Sequence, residues 1–142
     1  MNRKTVSRRQ RLVRVREAQH AMAVAETMRA QEQANSIAHN AQRLHNVRSE
    51  LYRADPRQMG GTFAAYRELA DRLERAGRQL DGALYDARKV VDQKQGIEVA
   101  ANRDREIAVR LKERAHADAE ERQEARLAAI PRYRSMQQRG QE

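Results

Sequence analysis

Between Tyr66 and Ala115 an apolar or small residue returns at alternating steps of three and four. The series is Tyr66, Leu69, Leu73, Ala76, Leu80, Ala83, Ala87, Val90, Lys94, Ile97, Ala101, Asp104, Ala108, Leu111 and Ala115. Only Lys94 and Asp104 interrupt it. Residues three and four apart share one face of an α-helix, so a stripe held this long needs a second helix to cover it. The pattern predicts a coiled-coil strand and not a helix of a globular domain.

Composition narrows what that partner helix can be. The chain has 142 residues, 35% of them charged and 4% aromatic, with no Trp, no Cys and a formal net charge of +9. So few aromatics and so much Ala cannot fill a thick multilayer core, and a thin, elongated, helical protein is expected. The absence of Cys excludes disulfides and thiolate metal sites and is compatible with a reducing compartment. No apolar run approaches the roughly 20 residues that span a bilayer, and the N-terminus lacks the apolar core of a signal peptide. The expectation is a soluble, cytoplasmic protein without direct membrane insertion.

Seven cations, Arg3, Lys4, Arg8, Arg9, Arg11, Arg14 and Arg16, precede the first acidic residue, Glu17. Such an arm has three uses: phosphate binding through counterion release, docking on an acidic protein surface, or a solvated charged end. Helical spacing begins inside it, with Leu12, Val15, Met22 and Ala25, and Thr5 or Ser7 is placed to cap its start. Farther on the stripe reads Ala30, Ala34, Ile37, Ala41, Leu44 and Leu51, shifted by one residue in the heptad frame. A straight helix drifts in that way against a seven-residue repeat, so one continuous helix over about 6–53 is predicted.

The break falls at Asp55-Pro56 followed by Met59-Gly60-Gly61. Proline removes a donor and pushes Asp55 out of helical geometry, while paired glycines supply the freedom a reversal needs. Thr62 offers a cap for a second helix over about 63–130, leaving a basic tail at 131–142. Gly77, Gly82 and Gly96 interrupt strong helical pattern, which points to close packing or local bending. The fold class expected is all-α, a single domain in which two long helices form an antiparallel coiled-coil hairpin, the second longer and overhanging. A fold about residues 58 and 59 sets Leu51 near Tyr66, Leu44 near Leu73, Ile37 near Leu80 and Ala30 near Ala87.

The overhang is expected from about Lys112, through Glu113, Asp118, Glu120, Glu121 and Glu124, to Pro131 and the tail cations Arg132, Arg134 and Arg139. By the same pairing the basic arm meets the start of this acidic segment and is partly neutralised, which weakens a nucleic-acid role. Catalytic signals are lacking. His20, His39, His45 and His116 have no metal-ligand spacing, and no phosphate cradle or nucleophile motif is present. Solvated or seam-edge histidines fit that pattern better than ligands. Nothing points to an enzyme, a cofactor or a metal.

The stretch Glu50-Leu51-Tyr52-Arg53, the polar loop, and Tyr66-Arg67-Glu68-Leu69-Ala70-Asp71-Arg72-Leu73-Glu74 resemble the flagellar export protein FliJ family and its type III secretion stalk relatives. So does the Arg-rich opening from Arg8 to Glu17 leading into an Ala/Gln/Glu-rich helix. The resemblance implies a central stalk whose open end, with both termini, enters a hexameric export ATPase, while the loop end reaches an export gate membrane protein. Export chaperones are further implied partners. Carried onto this chain, the ATPase-contacting residues are Arg8, Arg9, Arg11, Arg14 and Arg16. The gate-contacting residues are Tyr52, Leu69, Leu73 and Ala76, joined by Phe63, which like Tyr52 lies off the apolar stripes. Two other classes stay open: a self-associating structural coiled coil and, behind it, a basic nucleic-acid binder.

Overall fold

A computed structural model describes residues 3–53 and 63–140, and residues 131–139 by backbone alone. Helix α1 spans Arg3–Arg53 and α2 spans Phe63–Arg139, 51 and 77 residues respectively, with no strand among the described residues. The two helices pack against each other as an all-α hairpin with the second helix longer. The expected turn residues Pro56, Gly60 and Gly61 and the cap Thr62 lie outside the described residues. Helix α2 runs past Pro131 and beyond the expected end near residue 130. The ring's fixed φ is itself helical, so the chain on either side stays helical with one hydrogen bond missing.

The chain forms two compact units, Ala23–Glu98 and the pair of segments Met1–Met22 and Val99–Glu142. Within Ala23–Glu98, Ala30, Ala34 and Val91 are buried together with Ala87 packed on them. Near the far end of this unit the Tyr66 hydroxyl donates to the Leu51 carbonyl at 2.9 Å. Leu44 and Leu73 line one groove, with Gly77 beneath. A Cβ at Gly77 would meet Leu44 at 3.8 Å, an ordinary contact, and none would meet anything within 4 Å at Gly82 or Gly96. Close packing therefore does not account for the glycines at 82 and 96.

The face that α2 buries differs from the stripe read in the sequence. Tyr66, Leu73, Leu80, Ala87 and Lys94 are covered as expected, but they alternate with Ala70, Gly77, Leu84, Val91 and Glu98. Leu69, Ala83, Val90 and Ile97, each one residue earlier, are exposed. The adjacent valines make the point, since Val90 is 43% accessible and Val91 6%. Helix α2 is apolar at three positions of its heptad, and a single partner helix covers two. Size complementarity selects them: Leu44 lies over Gly77, and Val91 fits against Ala30 and Ala34. Lys94, an interruption in the stripe, keeps its stem in the seam and sends its ammonium to Glu26 Oε2 at 3.0 Å.

In the unit formed by 1–22 and 99–142, Val13, Ala108 and Ala115 are buried, Ala115 completely. Val6, Arg9, Val13, Arg16 and His20 are among the covered α1 residues, and they continue the heptad frame of Ala23, Thr27, Ala30 and Ala34 without a shift. The expected seam residues Leu12, Val15 and Met22 are exposed, Val15 at 52% against 5% for Val13. Helix α1 is one stiff helix. Burying Leu12 and Val15 would turn it by one residue and withdraw Ala23, Ala30 and Ala34 from α2. The overhang also begins later than Lys112, because residues 112, 115, 118 and 119 are covered and Arg122, Gln123 and Arg126 still line a groove against the first turns of α1. Helix α1 starts at Arg3, earlier than the sequence reading placed it, and so reaches farther along α2.

Substitution tests which of the two valines is in the seam. Val91→Ala should destabilise the chain by about 1–2 kcal/mol through lost burial, and Val90→Ala by under about 0.5 kcal/mol, measured by urea unfolding followed by helical circular dichroism. Equal losses would contradict the observed face.

Candidate functional site

The basic arm occupies the first turns of α1. Arg8, Arg11 and Arg14 are exposed and form no ion pair among the described residues. Two cations are drawn into the helix pair. Arg9 Nη1 donates to the Leu111 carbonyl at 3.1 Å. Arg16 Nη1 lies 3.6 Å from Asp104 Oδ2 and donates to Gln19 Oε1 at 3.0 Å. Asp104, the second interruption in the sequence stripe, is thus the carboxylate partner of Arg16. The expected neutralisation by the acidic segment is absent among the described residues, since Glu113, Asp118, Glu120, Glu121 and Glu124 form no ion pair with the arm. Glu113, Glu120, Glu121 and Glu124 are exposed, and Asp118, half-buried at the heptad position of Asp104, has no ion pair to the arm. The tail cations Arg132, Arg134 and Arg139 lie outside the residues whose side chains are described.

The five residues implied to touch an export gate lie in the Ala23–Glu98 unit, and they do not share a single face. Tyr52, Phe63 and Leu69 are exposed, whereas Leu73 and Ala76 are half-buried. Tyr52 sits on the flank that carries Arg48, Glu74 and Arg78, with the Arg48 guanidinium 5.5 Å from its ring centre. A hydrogen bond to Tyr52 is the main reason that Arg48 is raised above its ordinary range. Leu69 belongs to the opposite flank with Ala83, Val90 and Ile97, because residues seven apart return to nearly the same side of a helix. That second flank was hidden in the sequence by the assumption that every apolar residue in the stripe was covered. The consecutive valines 90 and 91 were the available signal.

No chemistry gathers on either flank. His39 and His45 are exposed and His20 half-buried. His116 Nε2 accepts a long hydrogen bond of 3.4 Å from the Gln10 amide. Among the described residues no group of three His, Asp or Glu is arranged to hold a metal ion, and no described helix is long and apolar enough to cross a membrane. Comparison with family models, with curated proteins and with solved structures finds no match.

Exposed helical pairs support the site end of α2. Arg72 Nη2 donates to Glu68 Oε1 at 2.7 Å, and Arg78 Nη2 to Glu74 Oε1 at 3.0 Å, both one helical turn apart. Arg78, and after it Arg48, hold the Glu74 carboxyl below its usual 4.5. A depressed carboxyl adds stability that is present above the unfolded-state value and lost as pH falls through the folded one. The stability difference between the wild type and Glu74→Gln should therefore be present at neutral pH and disappear under acid conditions, read by urea melts at the two extremes.

Proposed function

We propose that the chain is a stalk-like component of a type III protein-export apparatus of the flagellar kind, peripheral to the inner membrane, that inserts into a hexameric export ATPase and couples it to an export gate. The observation that carries this reading is that the first turns of α1 bear Arg8, Arg11 and Arg14, exposed and unpaired among the described residues. A basic helical end suits a charged ring, where long-range attraction steers insertion. Arg8, Arg11 and Arg14 are the residues free to reach that ring, while Arg9 and Arg16 orient α1 on α2. In the Ala23–Glu98 unit Tyr52, Phe63 and Leu69 are the accessible candidates for the gate, whereas Leu73 stays in the seam.

An equimolar mixture with the cognate export ATPase should raise ATP hydrolysis and favour ring assembly. The Arg8→Gln/Arg11→Gln/Arg14→Gln variant should lose most of that stimulation with its helicity unchanged. Absence of both effects with the wild-type chain would refute the stalk.

A self-associating coiled coil is the second reading, favoured by the uncovered flank of Leu69, Val90 and Ile97. It predicts a dimer in sedimentation at micromolar concentration that Val90→Ser/Ile97→Ser returns to monomer; a monomer throughout excludes it.

A further inference from the structure

In the unit formed by 1–22 and 99–142, the two helices leave a groove of about 700 Å³ between the first turns of α1 and the α2 segment after His116. Its polar lining is Arg3, Gln10, His116, Arg122, Gln123 and Arg126, with Ser7 at the edge and Val6 and Ala119 at the base. No carboxylate lines it. That is unexpected in a stretch of α2 that carries Asp118, Glu120, Glu121 and Glu124. The helical register keeps those acids out of the lining and places Arg122 and Arg126 in the same groove as Arg3 of the opposite helix. None of the three arginines has an ion-pair partner among the described residues. Like charges brought together in this way repel, and an anion between them relieves the repulsion.

The spacing of the donors indicates what form that anion takes. Gln10 follows Arg3 and Gln123 follows His116, each after seven residues. A third α-helix laid in the groove presents side chains at the same repeat. Arg122 and Arg126 are about 6 Å apart along the axis, the interval between carboxylates four apart on such a helix. The small apolar base favours the same occupant, since a phosphodiester chain has no apolar seam to bury.

We infer that this groove docks an acidic α-helix of a partner protein, one that places Glu or Asp at three- and four-residue spacing beside a narrow seam of small apolar residues. Arg3, Arg122 and Arg126 bind the carboxylates, Gln10 and Gln123 supply neutral hydrogen bonds, and Val6 and Ala119 meet the seam. The site is separate from Arg8 and Arg11, which are not in its lining, and it does not depend on the partner being an ATPase.

The test uses the full chain and a labelled, end-capped peptide of roughly 20 residues, long enough to be helical, with Glu flanking an Ala/Leu seam. Fluorescence anisotropy at about 100 mM salt should show saturable binding that weakens as salt rises. Arg122→Gln/Arg126→Gln should lower affinity by about tenfold or more, and Arg103→Gln/Arg110→Gln, which removes equal charge from exposed positions outside the groove, by less than about threefold. Gln123→Glu, which sets a carboxylate in the lining, should also weaken binding and serves if the double variant fails to fold. No binding, equal loss from the two double variants, an unchanged affinity in Gln123→Glu, or displacement of the peptide by a short duplex DNA with the same variant sensitivity would each overturn the inference.

Discussion

One constraint shapes this protein: α2 is apolar at three positions of its seven-residue repeat, and α1 covers two of them. A facing helix reaches a narrow strip of its partner, set by the radius of a helix and the length of the side chains between. The strip α1 covers takes in Ala70, Gly77, Leu84 and Val91 and leaves Leu69, Ala83, Val90 and Ile97 in solvent. The interior is correspondingly thin, built mostly from Ala on both helices, and no large side chain among the described residues is wholly enclosed. Stability in such a pair comes from repetition along the helices, with small increments at each turn.

Polar groups set which turn meets which. Lys94 with Glu26 and Arg16 with Asp104 connect α1 to α2 within their own units, and Arg9 reaches the Leu111 carbonyl. These contacts are partly exposed and add little net energy. Sliding either helix by one turn would separate them and leave charges beside an apolar seam, so their value lies in excluding wrong alignments. The same alignment has a cost at the start of α1, where it sets Arg3 against Arg122 and Arg126 instead of against the nearby acids.

Much of the architecture was legible without coordinates. The two helices and half of the α2 seam, Tyr66 through Ala115 at every seventh residue, follow from periodicity. Misread were the other half of that seam, the frame of α1 before Ala23, and the surroundings of the arm. Leu12, Val15 and Met22 form as good a stripe as Val13, His20 and Ala23 when α1 is considered alone, and hydrophobicity favours the former.

The sequence by itself determined that the chain is helical, that it turns back once and that its first turns are strongly basic, because each is a local property of spacing, backbone freedom or composition. Only the tertiary structure decided which of three apolar positions is covered and which cations go unpaired. Those choices depend on how two surfaces fit, large residues over small ones and charges within reach of opposite charges, and a helix taken singly carries no record of its partner's shape.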